Sequence, residues 1–339
     1  MNATNDNSEG SRLEDGVAGG IILIIASISF VLNGATTALM VRVKYLRNSF
    51  GFLCVSQGVA DCGVLIIFAL WCAPVTLSQS LLSTGVVGKK IGQLSLFFWF
   101  GGIYSTLLIG VNRFFAISFP VRYRKAFTDR NTIFLIILCW ILATFHAILY
   151  FFDGCDFFYD PSTYVWQYDT TPCGNFASFY LDFCFGVASF AIIFIFNVLT
   201  AAKLHLSNKQ QLASQVASQT ASEIRDQEKR RKREIRFFVQ ACINGASFNI
   251  MLISFHLLSR YAWDKWSLFA TTSLIWQLAH ASNGIVFLVF NRDLRQLILQ
   301  PKHICKAPER NVMNGTSHVN MPKKSVVSIR TIPVNNFLE

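Results

Sequence analysis

Seven apolar stretches, each long enough to cross a bilayer as a helix, alternate with polar segments along the chain. A hydrocarbon core about 30 Å thick needs roughly 20 helical residues. The stretches run Val17 to Val41, Phe50 to Leu77, Ile91 to Ile117, Thr132 to Phe152, Phe176 to Ala202, Phe237 to Ser259 and Ser267 to Phe290. None shows the period-two alternation of a barrel strand, and a helix satisfies its own backbone hydrogen bonds where water is absent. The predicted fold is therefore all-α, a seven-transmembrane helix bundle. Beyond the last stretch, Leu294, Leu297 and Ile298 share a helical face opposite Arg292, Arg295 and Gln296 until Pro301. That pattern predicts a short membrane-surface helix. The chain then divides into an extracellular segment 1–16, a spanning domain 17–300 and a disordered cytoplasmic tail 301–339.

Composition agrees: of 339 residues, 53% are hydrophobic and 14% charged, with a mean hydropathy of +0.41, which excludes an ordinary soluble domain. The net charge of +11 would suit a nucleic-acid partner if the basic residues formed one patch, but they lie between the apolar stretches, so none is expected. Placing the N-terminus outside leaves only Arg12, Lys89, Lys90, Arg260 and Lys265 of 30 Lys and Arg outside. The bias of basic residues toward the inner side then predicts a multi-pass plasma-membrane protein with a cytoplasmic C-terminus. The loop from Asp153 to Asn175 carries acids and no base, and the sequon Asn2-Ala3-Thr4 falls on the glycosylated side, while that at Asn314 is idle. The opening MNATNDNSEGSRLEDG lacks the basic start of a signal peptide. The connection from Lys203 to Arg236 ends in EKRRKREIR; it reads as a basic helix extension at anionic headgroups or as a docking surface for a cytoplasmic partner.

Ionisable residues inside the stretches need a reason to be there, at roughly 2.5 to 3.5 kcal/mol each on insertion scales. Asp61 is the deepest, with Asn33 and Asn283 as its expected partners. It reads as an interhelical staple or as a hydrated hinge sensitive to ions or protons. Asp182 lies near one boundary and is either interfacial or ligand-binding. His146, His256 and His280 show no metal-ligand spacing and read as core histidines. Arg113 reads on its own as snorkelling to headgroups.

The neighbours of Arg113 change that reading. GVNRFFAISFPVRYR resembles the end of the third helix of rhodopsin-like G-protein-coupled receptors, whose acid-Arg-aromatic triplet is followed by a similar proline. GVAD around Asp61, LNG around Asn33, Trp140 and SNGIVFLVFNRDLR resemble further motifs of that family, in order. The Phe-rich texture and the NRF triplet resemble the nematode serpentine chemoreceptors, class X, over Val17 to Gln300. Asn112 replaces the acid, Gly284 and Phe287 replace a Pro and a Tyr, and neither the fifth nor the sixth stretch contains Pro. No Lys occurs in the seventh stretch, which excludes a retinal Schiff base.

The resemblance implies a chemosensory receptor that binds a small molecule and signals through a heterotrimeric G protein. Its cavity would lie in the outer half of the bundle. Counting back from Arg113 by helical turns puts Trp99 and Ser95 on the inward stripe, with Tyr180, Asp182, Phe255, Trp276 and Gln277 as walls. The switch set would be Asn33, Asp61, Asn112, Arg113 and Asn283, with Glu228 or Glu234 restraining Arg113. Such receptors usually tie the top of the third helix to the second outer loop, but Leu77 to Gln93 holds no Cys. Cys155 and Cys173 within that loop are the expected disulfide, with Cys72 as the alternative partner. No nucleophile-base pair, metal cluster or cofactor motif is legible, so an enzyme is not expected. The competing class, a transporter or ligand-gated channel, predicts internal repeats and several intramembrane charges.

Overall fold

The computed structural model describes residues 2–42, 47–214, 221–290 and 295. The expected surface helix after Phe290 and the tail 301–339 lie outside the described residues, as do the side chains of Asn2, Glu228 and Glu234. Among the described residues, seven helices are long and apolar enough to cross a membrane: α1 Ser11–Arg42, α2 Ser49–Ser78, α3 Val86–Ser118, α4 Asp129–Phe151, α5 Pro172–Leu204, α6 Phe238–His256 and α7 Lys265–Phe290. α1 belongs to a helix that starts at Asn2, and α6 is the apolar end of a helix that starts at Ala221 and includes the basic run.

Local chemistry sets the starts of these helices. Asn48, Thr128, Thr171 and Asp264 each accept a backbone N–H of the first turn of α2, α4, α5 and α7, and Ser267 completes a capping box with Asp264. In α2, Pro74 lacks the N–H that a regular helix requires, and the preceding turn, Phe68–Cys72, widens to π-helical geometry. α5 and α7 carry π-helical turns at Ala177–Cys184 and Ala270–Leu274.

The helices close into a ring in which α1 packs on α2 and α7, α6 on α5 and α7, and α3 runs against α2, α4 and α5. α4 turns Phe134, Ile137, Ile141 and Phe145 outward, the face that lipid covers in a spanning helix. One departure from the all-α expectation lies between α4 and α5. There β1 (Phe157–Asp160) and β2 (Val165–Tyr168) form an antiparallel hairpin with Phe157 opposite Tyr168. The stretches FFYD and VWQY are too short to register as a fold-level pattern, yet their aromatic residues suit a pleated surface.

Candidate functional site

The hairpin plugs one end of the bundle. Phe157, Tyr159, Tyr164 and Trp166 are all but fully buried. Phe157 and Trp166 stack at 5.1 Å, and Trp166 meets Phe68 and Trp276 edge-on at 6.2 and 5.7 Å. α3 admits the hairpin because residue 92 is glycine: a Cβ there would lie 1.7 Å from the carbonyl oxygen of Phe157. Cys155 and Cys173 are joined in a disulfide across the base of the loop, and Cys72 is a buried free thiol. Tyr164, at a left-handed φ of 62°, is held in the hairpin turn by Asp15 and Lys265 on its hydroxyl and by Ser273 Oγ, which donates to its carbonyl at 2.7 Å. Lys89 pairs with Asp156 at 2.6 Å and with Asp169 at 3.7 Å. Partial burial and the neighbouring Asp156 raise the Asp169 carboxyl above its ordinary range, against the pull of Lys89.

Beneath the plug lies Asp182. Within the π-helical turn of α5, Asp182 points inward at 6% exposure, whereas Tyr180 is 56% exposed. This corrects the expectation that both would be walls of the cavity: residues two apart on a helix face opposite sides, so burial of Asp182 turns Tyr180 outward. Asp182 Oδ1 accepts from Trp99 Nε1 at 2.8 Å, and Oδ2 accepts from Tyr168 Oη at 2.7 Å and meets His256 Nε2 at 3.1 Å. Donors from α3, the hairpin and α6 thus satisfy both oxygens of a buried carboxylate. A cavity of about 10 Å³ remains, lined by Trp99, Asp182, Phe255, His256, Trp276 and Phe157 among others. Ser95 and Gln277 are fully buried but do not line it, and among the described residues Ser95 Oγ and both amide atoms of Gln277 have no hydrogen-bond partner.

A second polar centre sits deeper. Asp61 Oδ1 accepts from His280 Nδ1 at 2.7 Å and Gln57 Nε2 at 3.2 Å, and Oδ2 accepts from Asn283 Nδ2 at 2.7 Å. Asn33, expected on Asp61, instead donates to the carbonyls of Ser29 and His280 at 3.0 and 3.3 Å. Gly284 leaves room for this side chain: a Cβ there would lie 3.0 Å from Asn33 Cγ and Oδ1. His256 and His280, read from the sequence as core histidines, each face an aspartate; a signal was present in the spacing of His280 one helical turn before Asn283. From Asp61 a cavity of about 50 Å³, room for a few waters, extends past Thr106, Asn197 and Gln240 to Arg113.

Arg113 is only 6% exposed, with its guanidinium 4.2 Å from the centre of the Phe50 ring. Snorkelling alone does not describe a side chain held this far inside. Asn112 is buried, and its amide lies 3.5 Å from Tyr123 Oη in the short helix Pro120–Ala126. The structure thus brings Trp99, Asp182, Phe255 and Trp276 together at the hairpin end, and Asn33, Asp61, Arg113 and Asn283 around the deeper cavity.

Three comparisons bear on this arrangement. Residues 23–291 match the family described as "Serpentine type 7TM GPCR chemoreceptor Srx". The chain is 27% identical to Serpentine receptor class X 45 of Caenorhabditis elegans over 95% of this chain and 94% of that one, and 33% identical to melatonin receptor type 1C of Gallus gallus over 48% of each. In fold it is similar to squid rhodopsin, with a TM-score of 0.70 at 18% identity over 87% of both chains.

Proposed function

The chain belongs to the serpentine seven-transmembrane chemoreceptor family Srx, a GPCR-type receptor, and from that premise we propose that it senses a small molecule at the hairpin-end site and signals through a heterotrimeric G protein at the Arg113 end. The observation that carries this reading is the enclosure of Asp182 by Trp99, Tyr168 and His256 under a disulfide-tied hairpin. A buried carboxylate among aromatic walls supplies what a small-ligand site needs, an apolar enclosure with a few convergent polar groups. The Asp182 carboxylate is already met by three donors, so the ligand is neutral or weakly polar, recognised by ring contacts and by exchange of one of those hydrogen bonds. In this reading the hairpin end is extracellular and the C-terminus cytoplasmic at the plasma membrane, with Asn2 as the glycosylation site.

The test is expression of the full chain with a calcium or cyclic-nucleotide reporter against volatile and water-soluble metabolites. A compound should give a concentration-dependent response that Trp99→Ala abolishes while surface expression persists. A response that survives G-protein inactivation and appears as membrane current would support the channel reading instead.

A further inference from the structure

A hydrogen-bonded path joins the hairpin-end site to the Asp61 centre through Trp276. Trp276 forms part of the wall of the small cavity beside Trp99 and Phe255, and it touches Phe157 and Trp166 of the hairpin. One turn further along α7, its indole Nε1 reaches His280 Nε2 at 3.0 Å. On its other side the same imidazole reaches Asp61 through Nδ1 at 2.7 Å.

Hydrogen-bond chemistry fixes the ring completely. An indole N–H can only donate, so His280 Nε2 must accept and carries no proton. The remaining ring proton is then on Nδ1, donated to Asp61. His280 is fully buried. The rings of Trp99 on α3 and Phe248 on α6 flank it at 5.9 and 5.3 Å, and Asn33 on α1 holds its backbone carbonyl. Among the described residues Asp61 is the one charged group in hydrogen-bond contact with the imidazole. A doubly protonated ring would set an N–H against the N–H of Trp276, so the resting geometry requires the neutral form.

We propose that His280 is the positioning residue that couples the aromatic floor of the ligand site to Asp61, through a single Nδ1–H tautomer that holds only while Trp276 stays in place. A ligand that displaces the indole removes the donor that pins Nε2. The imidazole then loses its fixed tautomer and orientation, and Asp61 loses the shorter of its two Oδ1 donors, leaving Asn283 as its remaining short contact on α7. Because Asn283 and Gly284 also line the cavity that reaches Arg113, a change in how α7 is held at Asp61 is felt along that cavity. The coupling is local and stereochemical: two hydrogen bonds on opposite edges of one ring.

This inference rests on the hairpin-end site being the ligand pocket, but its test reads the resting receptor without ligand, so the two fail separately. Purified full-length receptor labelled with ¹⁵N-histidine has six histidines to resolve. One should show a neutral Nδ1–H signature that disappears in His280→Asn and loses its fixed tautomer in Trp276→Phe. An Nε2–H or charged His280 in the resting protein overturns the proposal. In cells, basal signalling per receptor at the surface is compared for Trp276→Phe, His280→Asn and the double variant. His280→Asn keeps an amide N–H near the Nδ1 position to donate to Asp61, so it removes the Trp276 link selectively. Each single variant should raise basal signalling about threefold to tenfold, the range of one modest hydrogen bond, and the double variant should match the singles. Effects that multiply in the double variant, or basal signalling that is unchanged or lowered, overturn the coupling role.

Discussion

Replacing Asp182 with Asn keeps the shape of the side chain and removes its charge, which isolates what the carboxylate contributes. Three donors converge on it, at 2.8 Å from Trp99, 2.7 Å from Tyr168 and 3.1 Å from His256. Hydrogen bonds to a charged group contribute about 1.5–3 kcal/mol each against about 0.5–1.5 for neutral pairs. The amide offers one acceptor oxygen, and its NH₂ can be accepted by a neutral His256 or by the Tyr168 hydroxyl, so the network rearranges rather than collapses. Losing roughly 1 kcal/mol of charge assistance at each contact gives about 3 kcal/mol of destabilisation in all. At about 2–4 °C per kcal/mol for a domain of this order of size, the thermal midpoint of detergent-purified receptor should fall by roughly 6–12 °C. Tyr180→Phe on the exposed face of the same turn is the control and should move it by about 1 °C or less. A midpoint for Asp182→Asn within about a degree of wild type would refute the reasoning, because it would mean the carboxylate is hydrated rather than held by three protein donors.

Gly92→Val places side-chain atoms where the Phe157 carbonyl lies; it should unseat the hairpin, seen as faster proteolysis within 153–175 and loss of any ligand response. Cys155→Ser removes a bond closing a loop with a sequence separation of 18, worth about 3 kcal/mol in the chain-entropy model, and should give the same protease sensitivity without altering Lys89 pairing. Two acids of the hairpin end give opposite pH signatures, read as melting temperature between about pH 3 and 8. Asp169, raised above its ordinary value by burial and Asp156, binds its proton more tightly when folded, so its contribution improves as pH falls through the raised value, and Asp169→Asn should stabilise the protein at neutral pH. Asp264, lowered by the Ser267 hydrogen bonds, contributes above its unfolded value and loses that as pH falls through its folded value, so Asp264→Asn should destabilise only at the neutral end. Arg113→Ala should abolish G-protein coupling while surface expression persists; full signalling from that variant would return Arg113 to an anchoring role.

The spans were legible because hydropathy is a sum over some twenty residues and tolerates local irregularity. Side-chain direction is not. Tyr180 and Asp182 both read as cavity walls, but positions two apart on a helix point to opposite sides, and Tyr180 is exposed where Asp182 is buried. Trp99 turns inward as the count predicts because α3 runs from Val86 to Ser118 with no π-helical turn, so counting turns back from Arg113 holds. The histidines were underread for a different reason. A search for metal spacing compares His with His, whereas His256 and His280 pair with Asp182 and Asp61 from other helices, at separations of 74 and 219 residues. Asn33 sits in the neighbourhood of Asp61 but donates to the Ser29 and His280 carbonyls, a choice between nearby acceptors that the packing of α1 on α7 makes and no residue pattern marks.

The hairpin sets the energetic problem that any ligand must solve. Small-molecule sites typically enclose about 300–1,000 Å³, while the cavity beneath the plug is about 10 Å³, roughly one water. Occupancy therefore requires movement of groups that are now packed, and the packing indicates which. Trp166 and Phe157 are held by stacking on each other and by edge-on contacts to Trp276, whereas Tyr164 is held by polar contacts to α1 and α7 and the base of the loop by a covalent bond. Hydrogen bonds and the disulfide resist displacement of the hairpin as a whole. Ring contacts can be exchanged for those of an incoming aromatic molecule with little change in buried apolar area. The lower-energy route is then a local exchange at Trp276, with the hairpin frame kept, and not a lid swinging open. On the reading proposed above, a ligand that binds this way would be felt first at the indole whose N–H holds His280, so recognition and the start of the conformational change would fall on the same side chain.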